Sequence, residues 1–131
     1  MGEHPNLQQM RKGYEAFKNG DLATLGELFS DDIVWHAPGR GPISGDYKGK
    51  EEVFGLFGKL VQETGGTFKL EVEEMFANDE RGVATQRITA DRDGKRLDIY
   101  SANVFRYDAE GKVVEAWGMG VDTEIGTEFF S

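Results

Sequence analysis

The chain reads as an α+β domain, with three N-terminal helices packed on a strongly curved, mostly antiparallel sheet that would leave a cone with an internal cavity. Three observations predict this. Apolar residues recur at spacings of three and four until Gly65-Gly66, then switch to alternation. Asp93-Gly94 stands between two long alternating runs, the strongest short hairpin signal. Helices first and strands after them, in one chain of 131 residues, make a single α+β domain over 1–131.

Leu7, Met10, Tyr14 and Phe17 form the stripe of the first helix, which Asn19-Gly20 closes with a left-handed residue. Asp21 caps a second, whose stripe is Leu22, Leu25, Leu28 and Phe29. Asp31-Asp32 stops the helical pattern, and Ile33-Val34-Trp35 reads as a strand. A third helix begins near Lys50, shows Val53, Phe54, Phe57, Leu60 and Val61, and ends at Thr64-Gly65-Gly66. Phe68, Leu70 and Val72 then alternate with Lys69, Glu71 and Glu73, a strand with one wet face. The alternation slips near Glu74-Met75-Phe76, which marks a bulge. Gly82–Arg92 and Lys95–Tyr107 form the hairpin, and Lys112–Val121 is the last strand.

The segment from Trp35 to Gly49, WHAPGRGPISGDYKG, joins the first strand to the third helix. Pro38 and Pro42 fix φ and withhold donors, while its four glycines allow close backbone approach. Two readings are open: a pocket rim or lid, and a long surface connection whose aromatics plug the domain edge.

A two-residue turn at Asp93-Gly94 pairs Arg92 with Lys95 and sets every other pair of the hairpin. Ala84, Gln86, Ile88 and Ala90 then share a face with Leu97, Ile99, Ser101, Asn103 and Phe105. Gln86, Ser101 and Asn103 sit mid-face in apolar surroundings. That is how ligand pockets are lined, and it is also how hydrogen-bonded core residues look.

Composition narrows the function classes. The formal net charge of −9 argues against nucleic acid and against anionic membrane surfaces. A neutral or weakly polar ligand is the natural expectation. Cysteine is absent, which removes disulfides, zinc-thiolate sites and cysteine nucleophiles. His4 and His36 are not at metal-ligand spacing, so no metal and no cofactor is expected. No apolar run reaches the roughly 20 residues of a membrane span, and the N-terminus lacks a secretory pattern. The expected compartment is cytoplasmic.

Several short stretches together carry a family resemblance. They are Tyr14, Asn19-Gly20-Asp21-Leu22, Leu28-Phe29-Ser30-Asp31-Asp32, Trp35-His36-Ala37-Pro38-Gly39 and Gly45-Asp46-Tyr47-Lys48-Gly49, followed by Thr64-Gly65-Gly66-Thr67-Phe68, Val104-Phe105-Arg106-Tyr107 and Gly111–Trp117. The chain resembles the SnoaL-like branch of the nuclear transport factor 2-like superfamily, which includes ketosteroid isomerases and polyketide cyclases. The resemblance implies a cone-shaped α+β barrel with an apolar pocket, commonly dimeric through its sheet. In ketosteroid isomerases an aspartate base moves a proton while a tyrosine and a protonated aspartate hold the enolate oxygen. By that resemblance the tyrosine matches Tyr14, the protonated aspartate falls on Asn103, and the base falls on Ala37.

Ala37 takes no proton, so steroid isomerisation by the aspartate route is not expected. His36 is the nearest replacement base, with a reference pKa near 6.5. Strand alternation points it opposite to Trp35 and Ala37 unless the Pro38 turn twists it inward. The other reading is a structural histidine bonded to the loop. Resemblance to polyketide cyclases suggests Asp122, near the end of the last strand, as an acid–base group; a solvent-exposed strand-end aspartate is the alternative. Trp35 and Phe54 are expected as pocket walls, with Gln86 and Ser101 contacting substrate.

Two functions from different classes follow. One is an enzyme acting on a small hydrophobic carbonyl compound by proton transfer, of isomerase or cyclase type. The other is a non-catalytic binder of a hydrophobic ligand, or an interaction module. Both would be homodimers through the sheet. Trp117 and Met119, opposite in parity to Ala116 and Gly118, would face a partner or a covering helix.

Overall fold

The computed structural model describes residues 4–120 and 123–131. Its elements are α1 (Pro5–Asn19), α2 (Leu22–Leu28), β1 (Phe29–Ala37), β2 (Gly45–Lys48), α3 (Gly49–Glu63), β3 (Lys69–Ala77), β4 (Arg81–Arg92), β5 (Lys95–Tyr107), β6 (Val113–Gly120) and α4 (Thr123–Phe130). The expected α+β class holds, with helices against a curved and mostly antiparallel sheet. The sheet has six strands in the order β2-β1-β6-β5-β4-β3 and stays open, with β2 and β3 as its edges.

Local chemistry sets the helix ends. Pro5 opens α1, where its missing N–H costs nothing, and Gly20 closes it at φ 69°. The Asp21 carboxylate accepts from the Thr24 N–H at the start of α2. Glu52 reaches back from the first turn of α3 to accept the Lys48 N–H at 2.9 Å. Among the described residues no helix is long and apolar enough to cross a membrane.

Three features of the chain path depart from the expectation. Phe29 belongs to β1 rather than to the helix before it, so Asp31 and Asp32 lie inside a strand. Their side chains are exposed, which is why charge there ends a helical pattern without ending a strand. Gly45–Lys48 is a strand hidden in the Gly/Pro-rich segment, paired antiparallel with β1 from Val34↔Lys48 to Ala37↔Gly45. A fourth helix, α4, follows the last strand. The β3 bulge falls between Val72 and Glu74, just ahead of the slip in the pattern.

The β4–β5 register runs from Arg92↔Lys95 through Gln86↔Ser101 and Ala84↔Asn103. Asp93 at φ 50° and Gly94 at φ 80° supply the left-handed pair that a two-residue turn requires. β6 pairs antiparallel with β5 and parallel with β1, where Trp35 faces Ala116 and His36 faces Trp117. The core lies between the sheet and α1–α3. Ile33 and Val53 are wholly enclosed there, each contributing roughly 1.5–3 kcal/mol.

Candidate functional site

The volume between sheet and helices is open: a cavity of about 220 Å³ runs through it. Its walls come from α1, α2, α3, the inner faces of β1 and β3–β6, the 38–44 turn and α4. Pro38, Gly41, Ile43 and Ser44 border it, so the turn after β1 is part of the pocket wall. Among the described residues no Asp, Glu, His, Lys or Arg borders this cavity.

The polar groups in the wall form a network. The Asn103 amide donates to the Tyr14 hydroxyl at 2.8 Å. Tyr14 in turn donates to Gln86 Oε1 at 3.1 Å. Gln86 Nε2 donates to Ser101 Oγ at 3.0 Å. β4 and β5 place the three mid-face residues by alternation, and α1 delivers Tyr14 from the opposite side. Burial pushes the Tyr14 phenol far above its ordinary range, which the Asn103 bond partly offsets and the nearby Tyr107 reinforces. Tyr14 is therefore neutral and acts by hydrogen bonding.

An aromatic wall stands beside this network. Trp35 meets Phe57 edge-on at 5.2 Å and Phe105 at 5.9 Å, and Tyr14 meets Phe105 at 6.2 Å. Tyr107, at the far end of β5, also borders the cavity and is only 6% exposed. Burial raises its phenol to about 12. Sequence reasoning passed over it, although its parity with Asn103 and Phe105 was the available signal.

α4 closes one end of the pocket, with Thr127 and Phe130 in the wall. Phe129 and Phe130 pack with Ala90 and Leu97. The Arg40 N–H donates to Thr127 Oγ1 at 3.0 Å, and the Thr127 backbone lies so near Gly41 that a Cβ there would stand 3.2 Å from its carbonyl oxygen. Arg92 donates to the Ser131 and Phe129 carbonyls and Lys95 to the Glu128 carbonyl, capping the helix C-terminus with cations.

Of the expected site residues, Tyr14, Trp35, Gln86, Ser101 and Asn103 meet at the cavity. Ala37 borders it too. Two others are elsewhere. His36 faces outward, as alternation from Trp35 dictates. Its Nδ1 meets Asp46 and its Nε2 meets Glu115, both at 2.7 Å, and its ring stacks on Trp117. Asp46 first and Glu115 next hold its pKa above the ordinary value. Phe54 lies behind the cavity wall against Phe29 and Phe57, and Phe57, less than a turn further on, borders the volume instead. Asp122 lies outside the described residues.

Known proteins share this arrangement of elements. The SnoaL-like domain matches residues 10–116. An uncharacterised protein of Mycobacterium tuberculosis is 31% identical over 99 residues, covering 75% of this chain and 76% of that protein. The solved structure of Bal32a, from a soil-derived mobile gene cassette, is 41% identical over 96% of both chains, with a TM-score of 0.92. A protein of unknown function with a cystatin-like fold from Xanthomonas campestris is 26% identical, covers 98% of this chain and 99% of its own, and has a TM-score of 0.90. The chain is a member of the SnoaL-like domain family.

Proposed function

We propose that this protein binds a neutral, mostly apolar small molecule between its sheet and helices. The observation that carries this reading is a hollow of about 220 Å³ lined by carbon, amides and hydroxyls, without a charged side chain among the described residues. A charged ligand would enter at a large desolvation cost with no partner, whereas an apolar one gains roughly 25 cal/mol for each Å² it buries. Calorimetric titration with tetralin, a neutral bicyclic hydrocarbon, tests it. Saturable binding that Ala37→Phe abolishes is the expected result; its absence in the wild-type protein rejects the reading.

The pairing of Tyr14 with Asn103 favours a second reading, proton transfer on a small carbonyl compound of isomerase or cyclase type. Preorganised neutral donors stabilise a developing enolate, one such donor being worth roughly 10²–10³ in rate elsewhere. His36 faces away, so the base in this reading is Asp122. Exchange of the α-protons of 1-tetralone into deuterated water decides it. Catalysis by the wild-type protein, lost in Asp122→Asn and in Tyr14→Phe, supports the enzyme; exchange no faster than buffer supports the binder.

We also propose pairing of two copies through the outer sheet face. Tyr100 is more than half exposed there, on the same face as Trp117, while Met119, similarly exposed, also borders the cavity. Light scattering should report a dimer that Tyr100→Glu weakens; a monomer in the wild-type protein rejects the pairing.

A further inference from the structure

Tyr107 has a buried phenol whose hydroxyl is unused. Among the described residues it neither donates nor accepts a hydrogen bond, and no fully enclosed side-chain nitrogen or oxygen lacks a partner. The oxygen therefore keeps some accessible surface, and Tyr107 is one of the residues that line the cavity. Tyr14 differs on this point, because its proton is already given to Gln86 and its oxygen already accepts from Asn103.

The surroundings of Tyr107 keep room for the hydroxyl. Gly82 shares the inward parity of Ala84 and Gln86, and a Cβ on it would fall 2.7 Å from the Tyr107 oxygen and closer still to Met10 Cε. Gly82 is not among the residues with positive φ, so the backbone does not ask for glycine here. The space does. A side chain at 82 would displace the phenol or the Met10 methyl from this corner of the pocket.

We propose that Tyr107 is the hydrogen-bond donor that selects the ligand, and that the ligand is a neutral apolar compound presenting an acceptor oxygen, such as a ketone, to this end of the cavity. This rests on the binding reading above and adds the chemistry of the ligand to it. A donor that a bound ligand seals off from water carries a desolvation cost that an acceptor oxygen removes and a hydrocarbon does not. The phenol stays protonated at all ordinary pH values, so the selection is for an acceptor and not for a cation. Tyr14 and its amides then act as a polar wall already satisfied within the protein.

The test compares 1-tetralone with tetralin, the same bicycle with and without a carbonyl, by calorimetry on wild-type, Tyr107→Phe and Tyr14→Phe proteins. Tyr107→Phe should weaken 1-tetralone about tenfold and change tetralin less than about twofold. Tyr14→Phe should shift the two ligands together. The carbonyl stretch of bound 1-tetralone should move to lower frequency in the wild-type complex and return in Tyr107→Phe. The infrared reading of the wild-type complex needs no variant: a carbonyl at its hydrocarbon-solvent frequency overturns the assignment. If both ligands bind and Tyr107→Phe changes them equally or not at all, the role of Tyr107 is wrong and the pocket reading survives. If neither ligand binds the wild-type protein, the pocket reading fails and takes this one with it.

Discussion

The Asn103 amide sits 2.8 Å from the Tyr14 hydroxyl, across the gap between β5 and α1, and is directed at the phenol oxygen. A neutral residue is required there because the described cavity wall holds no cation to balance a carboxylate. In Asn103→Asp, burial should raise the new carboxyl above its reference value of about 3.9. A group with a raised folded pKa that is neutral when protonated loses stability as pH climbs from the unfolded value toward the folded one, by up to about 1.4 kcal/mol for each pH unit crossed. Urea unfolding at pH 4, 6 and 8 should show the gap to wild type widening with pH. A gap independent of pH would mean the carboxylate finds a partner.

His36 holds three strands together, with its own β1 joined to Asp46 on β2 and to Glu115 on β6. Its pKa is raised from 6.5, so its contribution is complete below about 6.5 and fades as pH rises through the folded value. Glu115 is lowered from 4.5, through its bond to His36 first, so its contribution is present above about 4.5 and fades as pH falls through the folded value. These contacts should stabilise the fold most between those limits. The side chains are 29% and 26% exposed, so each pair is worth about 1 kcal/mol or less. The unfolding free energy of His36→Asn relative to wild type, measured across pH 4 to 10, checks this; a difference that grows toward pH 10 would contradict it.

Arg92 ties the end of α4 to β4, donating to the Ser131 carbonyl at 3.0 Å while pairing with Glu63. Arg92→Ala should cost about 1–2 kcal/mol. It should also speed amide exchange in α4 more than in β4 or β5. Uniform exchange across the molecule would show that α4 is held by its phenylalanines alone.

Gly118 leaves the space that Pro38 fills, since a Cβ there would stand 3.0 Å from Pro38 Cδ and 3.7 Å from Asn103 Oδ1. A proline ring on a fixed turn yields little. Gly118→Ala should destabilise by about 1–3 kcal/mol, read as a lower thermal midpoint. An unchanged midpoint would show that the 38–44 turn moves freely.

The hairpin was the most legible part of the chain, because a two-residue turn at Asp93-Gly94 leaves one register, and that register puts Gln86 opposite Ser101. Four of the polar wall groups could be read from alternation and one helical stripe. α4 was not legible: eight residues with Gly126 at the centre have weak helix propensity, and the helix is held by distant Arg92 and Lys95. β2 was masked by the glycines around it, since four residues carry too little pattern to outweigh them. Phe54 and Phe57 both lie on the apolar stripe of α3, and the helix rotation that turns Phe57 to the cavity depends on packing. The free hydroxyl of Tyr107 is invisible in sequence because it is defined by what fails to reach it.

β6 occupies a position that couples early chain to late chain. It lies between β1 and β5, with Trp35 beside Ala116 in a parallel pair separated by some eighty positions of sequence. Until β6 arrives, the β1–β2 ribbon has no neighbour on its inner edge and the β3–β5 meander ends in an unpaired strand. Closing so long a loop is entropically demanding, and topologies dominated by distant pairings assemble slowly. Assembly of this protein should therefore be gated by insertion of that one strand, and the pocket comes into being only when it does.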